Sequence, residues 1–266
     1  MLITSKDNRF LRLFRELGHK KYREEYGLFP AEGKRLIDDL IGAGLSPHFL
    51  LYTEDFKDIA FLEKAAAVSD RVLSVSRSAF SSVSDTQNGQ GIAAAFPCLC
   101  PELASYRPGV GELILILNEI RDPGNLGTVI RSAAAAGVGA VLLEKGSVDL
   151  YNPKVIRATM GTVARVPVFT DLSFEAILSF LEENGVDVYI AGMEEPVCYY
   201  EVPVSGKTAV VFGNEGNGIS ARWRERFFSS LMIPMENGVE SLNVAVAASV
   251  IAFDHRRRIA EIKNLK

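Results

Sequence analysis

Residues 112–118 read Glu-Leu-Ile-Leu-Ile-Leu-Asn, and the chain continues to residue 137 as Glu-Ile-Arg-Asp-Pro-Gly-Asn-Leu-Gly-Thr-Val-Ile-Arg-Ser-Ala-Ala-Ala-Ala-Gly. An unbroken apolar run, as opposed to an alternating one, marks a strand covered on both faces, as in a parallel sheet. The turn at Pro123–Gly124 leads into a helix predicted over Asn125–Ala136, with Asn125 at the cap. A strand is predicted at Ala140–Leu143. Downstream, helices are predicted at Pro153–Thr159, Phe174–Asn184, Ser220–Phe228 and Ser241–Ile259. Strands are predicted at Val166–Thr170, Asp187–Ala191, Thr208–Phe212 and Leu231–Pro234. Such alternation specifies an α/β, doubly wound parallel sheet. Ligands of such sheets sit beyond the carboxyl ends of the strands, which directs attention to the loops after Leu117, Phe212 and Pro234.

Upstream, a smaller α/β unit occupies residues 1–97. Leu36, Ile37, Leu40 and Ile41 carry an amphipathic spacing, and a helix is predicted over Pro30–Gly44. Strands are predicted at Phe49–Thr53, Arg71–Val75 and Gly91–Phe96, with a helix at Phe61–Val68. Residues 98–111 lack a hydrophobic period and are rich in proline and glycine, which reads as a linker. The second unit spans 112–266.

The 266 residues are 48% hydrophobic and 23% charged, enough for two packed cores. The net charge of −4 excludes a uniformly basic surface. Charge is nevertheless uneven. Residues 1–35 hold nine Lys/Arg against five Asp/Glu, and Arg9, Arg12 and Arg15 recur every three residues. Such a face is either solvated or a grip on phosphate. Charges throughout residues 1–20 break any signal-peptide core, and no apolar run approaches the ~20 residues of a spanning helix. Cys98, Cys100 and Cys198 cannot form a fully paired framework, so a soluble, cytoplasmic protein is expected. His19, His48 and His255 are scattered, and no metal site is expected.

Three loops carry candidate chemistry. In the first, Arg131 lies less than two helical turns after Asn125 and can reach back over the strand ends. In the second, Val211-Phe-Gly-Asn-Glu-Gly-Asn-Gly-Ile-Ser220, glycines surround Glu215 and allow close backbone approach, notably at Gly213. Its spacing is neither a phosphate-loop pattern nor a dinucleotide fingerprint, which disfavours a nucleotide-dependent oxidoreductase. In the third, Leu231-Met-Ile-Pro-Met-Glu-Asn-Gly-Val-Glu-Ser-Leu-Asn-Val244, Ser241 or Glu240 is placed at a helix cap. The small residues that follow predict burial of Ser241 and Asn243 among partners. Taken singly, the first and third loops are also compatible with ordinary helix caps, and Glu215 in the second with a solubilising carboxylate.

Together they resemble the motifs of the SPOUT-superfamily RNA 2′-O-ribose methyltransferases of the SpoU/TrmH type. The matching residues are Asp122-Pro-Gly-Asn-Leu-Gly with Arg131, Phe212-Gly-Asn-Glu-Gly, and Ile233-Pro-Met with Ser241-Leu-Asn-Val. Tyr151-Asn-Pro-Lys-Val-Ile-Arg-Ala-Thr-Met-Gly161 and Glu32-Gly-Lys-Arg-Leu-Ile-Asp38 are also similar to that family. The resemblance implies a catalytic domain with a deep trefoil knot, a homodimer, and an N-terminal ribosomal-protein-like domain that binds RNA. It implies S-adenosylmethionine as methyl donor, held around Gly213, Ile233, Met235 and Leu242. Arg131, Asn125, Glu215, Ser241 and Asn243 are implied as the catalytic group. Ribosomal RNA is the expected partner, with transfer RNA or a non-catalytic RNA-binding relative as alternatives. A guanidinium stays protonated near neutrality, so Arg131 is expected to bind phosphate and stabilise a developing alkoxide.

Overall fold

The computed structural model describes residues 2–84, 90–192, 196–214, 216–227 and 229–264. It divides into two compact units, Met1–Leu99 with Asp149–Ala164, and Cys100–Val148 with Arg165–Lys266.

The first unit opens with helices α1 (Arg9–Glu16) and α2 (Lys20–Tyr26), followed by strand β1 (Leu28–Glu32) and helix α3 (Lys34–Gly42). Strand β2 (Phe49–Thr53), helix α4 (Ile59–Ala67), strand β3 (Val72–Val75), helix α5 (Arg77–Phe80) and strand β4 (Ile92–Pro97) complete its N-terminal part. The sheet order is β1-β4-β2-β3; β4 is antiparallel to both neighbours, and β2 and β3 are parallel. Leu11 and Phe14 of α1 are buried with Phe49, Leu51 and Ala93 in one apolar cluster.

The helix expected over Pro30–Gly44 begins only at Lys34. Gly33 turns the chain with φ +98°, a conformation costly for any residue with a Cβ. Pro30, without an N–H, sits in edge strand β1, where the missing donor breaks no second ladder.

The second unit begins with β5 (Leu113–Leu117), α6 (Pro123–Ala136) and β6 (Ala140–Glu144). Helix α7 (Pro153–Thr159) follows in sequence but belongs to the first unit. Then come β7 (Val168–Leu172), α8 (Phe174–Asn184), β8 (Asp187–Ala191), β9 (Val197–Cys198) and β10 (Thr208–Phe212). Helix α9 (Ala221–Arg226), strand β11 (Ser230–Met232) and helix α10 (Val244–Asn264) end the described chain. The sheet order is β7-β6-β5-β10-β8-β11-β9, with parallel pairing between its neighbours. On one face, Ile114, Ile116, Leu142 and Val211 pack with Ile177 and Phe180 of α8 and Trp223 of α9. The alternate residues turn to the opposite face, where α6 and α10 pack on each other and approach β6 and β5.

Two helix starts differ from the sequence reading. The cap of α6 is Asp122, whose Oδ1 accepts from Asn125 N at 2.8 Å, and Pro123 takes the first helical position. Asn125 therefore lies inside the first turn. Helix α10 begins at Val244, not Ser241, because Asn243 Oδ1 accepts from Ala245 N at 2.9 Å. Ser241 and Asn243 are both exposed, contrary to the burial expected of them.

Segment Asp149–Ala164 is tied into the first unit by polar and aromatic contacts. Arg23, only 4% exposed, donates to Leu17 O at 2.8 Å and through Nε to Asp149 Oδ2 at 3.0 Å. The Tyr151 ring stacks on Phe29 at 4.9 Å, and its hydroxyl bridges the N–H and the carbonyl of Leu99. Of the three basic residues of α2, Arg23 thus has a structural explanation, as a buried partner and not a surface charge. In the second unit His255 is also buried; its Nε2 lies 3.0 Å from Gly111 O, and burial lowers its pKa.

Candidate functional site

The strands of the second unit end at polar residues whose placement builds the site. Asn118 follows β5 immediately, and its backbone N–H donates to Phe212 O at 2.9 Å. Its side chain is buried between two partners. Nδ2 donates to Glu144 Oε2 at 2.7 Å, and Oδ1 accepts from Ser220 N at 2.8 Å. Glu144, 1% exposed at the end of β6, also accepts from Trp223 Nε1 at 2.8 Å and pairs with Arg222. A buried carboxylate with this many donors is compensated for its lost hydration. The ends of β5 and β6 are thereby joined to the far end of the loop that follows β10.

Within that loop, Asn214 exchanges two backbone hydrogen bonds with Gly218 at 3.1 and 2.8 Å. Its Oδ1 accepts from Gly216 N at 2.8 Å, and its Nδ2 donates to Glu119 O at 2.8 Å. Gly213 is required by this hairpin. A Cβ there would lie 2.3 Å from the Gly218 carbonyl carbon and 2.4 Å from Ile219 N. The close approach that makes glycine necessary is thus the chain's own return path. Glu215 lies outside the described residues.

Beyond the carboxyl ends of β8, β10 and β11 lies a cleft of about 530 Å³. Gly213, Ile233, Met235 and Leu242 all line it, as do Ser241 and Asn243. Phe212, Ile219 and Leu231 supply an apolar floor. Among the described residues, the backbone N–H groups of Ile233, Met235 and Leu242 find no acceptor in the chain. Asn125 adjoins the cleft, because its Oδ1 accepts from Asn243 Nδ2 at 3.0 Å. Arg131 is not among the lining residues. It lies on the exposed side of α6, and its guanidinium makes no hydrogen bond or ion pair among the described residues.

Two family models match. The SpoU rRNA Methylase family covers residues 112–253, and the MRM3-like substrate binding domain covers residues 8–94. The chain belongs to the SpoU rRNA methylase family. It is 33% identical over 257 residues to a Bacillus subtilis 23S rRNA (guanosine(2553)-2′-O)-methyltransferase, covering 96% of this chain and 98% of that one. It is 30% identical to human mitochondrial rRNA methyltransferase 3, over 90% of this chain and 70% of the relative. An S-adenosylmethionine-bound rRNA methyltransferase from Sinorhizobium meliloti superimposes with a TM-score of 0.87 at 29% identity, covering 97% and 98% of the two chains.

In this SpoU methylase, sequence reasoning missed four residues that hold the site together: Asn118, Glu144, Asn214 and Trp223. A signal for two of them is present. Asn118 and Glu144 are polar endings on otherwise apolar strands, Leu113–Leu117 and Ala140–Leu143, and such endings fall where parallel sheets bind ligands. Trp223, the chain's single tryptophan, carries no sequence mark of its N–H partner.

Gly213→Ala must displace backbone, not a pliable side chain. It is expected to destabilise the SpoU unit by about 1–3 kcal/mol, lowering its melting temperature by roughly 2–10 °C. Calorimetric unfolding of the variant checks this, and an unchanged midpoint would show that the hairpin is not held as described.

Proposed function

We propose that this chain is an S-adenosylmethionine-dependent methyltransferase acting on a ribose 2′-hydroxyl of ribosomal RNA. The observation that carries this reading is the convergence of two motif loops, at Gly213 and at Ile233–Asn243, on one cleft at the carboxyl ends of parallel strands. Its volume of about 530 Å³ suits a nucleoside-sized ligand. Its unpaired backbone N–H groups offer donors to the polar edge of an adenosine, and its apolar floor suits the ring faces. Gly213, Ile233, Met235 and Leu242 would hold S-adenosylmethionine, which supplies, when bound, a methyl group on a sulfonium.

The chain's own residues then position the acceptor. Asn243 both caps α10 and donates to Asn125, so one hydrogen-bonded pair fixes the starts of two helices beside the cleft. With Ser241, exposed at the cleft wall, these amides provide short, fixed partners for ribose hydroxyls. Glu215 is assigned an orienting role. The free guanidinium of Arg131 is suited to a phosphate next to the target ribose, presenting a planar fork that two phosphate oxygens match. Its positive charge stabilises negative charge growing on the 2′-oxygen while the hydroxyl proton passes to water. Holding the acceptor oxygen in line can itself contribute ~7–11 kcal/mol to lowering the barrier.

Residues 1–97 are assigned to RNA binding and 112–266 to catalysis, joined by the 98–111 linker, with Asp149–Ala164 contributed by the second segment to the first unit. The first unit's four-stranded α/β build supports a ribosomal-protein-like origin. A trefoil knot is supported by the strand order, in which β10 enters between β5 and β8 and the chain returns after β11 to lay α10 on α6. Cysteines held as thiols suit a cytoplasmic setting. A homodimer is supported by α10, where Val246 and Phe253 are 46% and 47% exposed on one helical face. Sedimentation should then give twice the chain mass, and Phe253→Glu should return a monomer; a wild-type monomer at micromolar concentration would contradict this.

Incubation with S-adenosylmethionine labelled in the methyl group and with total RNA is expected to leave label in a 2′-O-methylnucleoside of ribosomal RNA. Label confined to transfer RNA, or absent, would overturn the assignment. In the same assay Arg131→Lys should lose on the order of 10²-fold in kcat, with S-adenosylmethionine binding retained. Turnover close to that of the wild type would instead identify a titrating base at this position.

A further inference from the structure

The arginines of α1 do not act as one basic face. Arg15 donates to Lys6 O at 3.0 Å, whereas Arg9 and Arg12 turn into a separate surface cleft of about 340 Å³ within the first unit. Arg71, just before β3, and Tyr26, at the end of α2, complete that cleft. Phe10 forms its anchor. Its ring packs edge-on against buried Phe49 at 5.4 Å, and the guanidinium carbons of Arg9 and Arg71 lie 4.7 and 5.9 Å from its centroid. Both guanidiniums are exposed and have no carboxylate partner among the described residues. Arg12 reaches Glu16 only at 3.9 Å in solvent, a pairing of little strength. Three guanidiniums thus face one carboxylate, in a chain whose net charge is −4. Tyr26 is 45% exposed, and its ring is held by stacking on Tyr22 at 6.4 Å and 18°.

We propose that this cleft is a docking site for an unpaired stretch of RNA, its phosphates held by Arg9, Arg12 and Arg71 and one base stacked on Tyr26. Arginines stacked on a fixed aromatic ring lose little freedom on meeting a phosphate, which favours the fork-shaped contact. A tyrosine already ordered by its neighbour offers a base a flat, pre-set partner, the arrangement by which single strands are held without reading their sequence. Duplex RNA keeps its bases stacked internally and has no use for Tyr26. The site therefore selects a loop or bulge, and it deepens the RNA-methyltransferase reading on which it rests.

Full-length protein is titrated with a fluorescein-labelled ten-nucleotide single-stranded RNA and, separately, with an RNA duplex, at several salt concentrations. Arg9→Ala/Arg71→Ala is expected to weaken single-strand binding at least about tenfold. It should also make the slope of log affinity against log salt shallower by about 1.4, since each lost phosphate contact on a single strand removes about 0.7. Tyr26→Ala should weaken single-strand binding about tenfold with the slope unchanged, spare duplex binding, and be rescued by Tyr26→Phe. An unchanged far-ultraviolet circular dichroism spectrum and unchanged amide-exchange protection in β2 and β4 of each variant verify that the first unit is folded. Wild-type affinity and slope in the arginine variant would overturn the proposal and leave the patch to an acidic protein partner. Equal losses on duplex and single strand in Tyr26→Ala would overturn the stacking role. If the wild-type protein itself binds no RNA, the methyltransferase reading falls and this site with it, a result distinct from failure of the variants alone.

Discussion

The site of the second unit depends on one buried carboxylate. Glu144 is taken almost wholly out of water and receives the Asn118 amide, the Trp223 indole N–H and the Arg222 guanidinium. Such a group is strongly destabilising if left unpaired, with about 3–5 kcal/mol the usual cost of removing one partner from a buried charge pair. Its partners are consequently held in place. Asn118 transmits that constraint through its Oδ1 to Ser220 N, and Trp223 transmits it to the core shared with α8. The glycine loop between them is closed at one end by Asn118 and stitched internally by Asn214. A segment with this much glycine would otherwise sample many backbone states, so the polar anchor converts a flexible sequence into a cleft wall.

The parallel sheet was legible because its strands are apolar without alternation. Phe174–Asn184, Asp187–Ala191 and Thr208–Phe212 have the bounds that periodicity predicts. What escaped prediction was decided by single residues. Helix α6 starts earlier than expected because Asp122 competes with Asn125 for the cap and Pro123 pre-sets the first turn. Helix α10 starts later because Asn243 caps it. The helix predicted over Pro30–Gly44 takes in the last three residues of β1 because Leu36–Ile41 impose a helical period on their neighbours, while the stop signal is one glycine, Gly33. Gly213, Ile233, Met235, Leu242, Ser241 and Asn243 were legible as a group through their loops, and the structure gathers them. Glu144 was not, because a carboxylate at a strand end has no sequence feature naming donors 26, 78 and 79 residues away.

The basic N-terminal run shows how one composition divides into unlike roles. Arg23 is buried against Asp149 and the Leu17 carbonyl, Arg15 is tied to Lys6, and Arg9 and Arg12 remain at a surface cleft. Charge counting alone assigns all of them to solvent or to phosphate. Burial separates them, because a guanidinium is retained in a core only where acceptors meet it. The same distinction applies in the second unit, where Arg222 is half-buried on Glu144 and Arg131 is exposed without a partner. The unpartnered arginine is the one to which the proposed mechanism assigns a phosphate.

The most direct test of the Glu144 anchor is amide hydrogen exchange in Glu144→Gln, compared with wild type. A carboxamide accepts through one oxygen only and cannot satisfy the Asn118, Trp223 and Arg222 donors together. The anchor predicts that protection at Asn214, Gly218 and Ser220 falls by on the order of tenfold or more, while the β5 amides of Ile114–Leu117 stay protected. Unchanged protection at those three loop amides would contradict it.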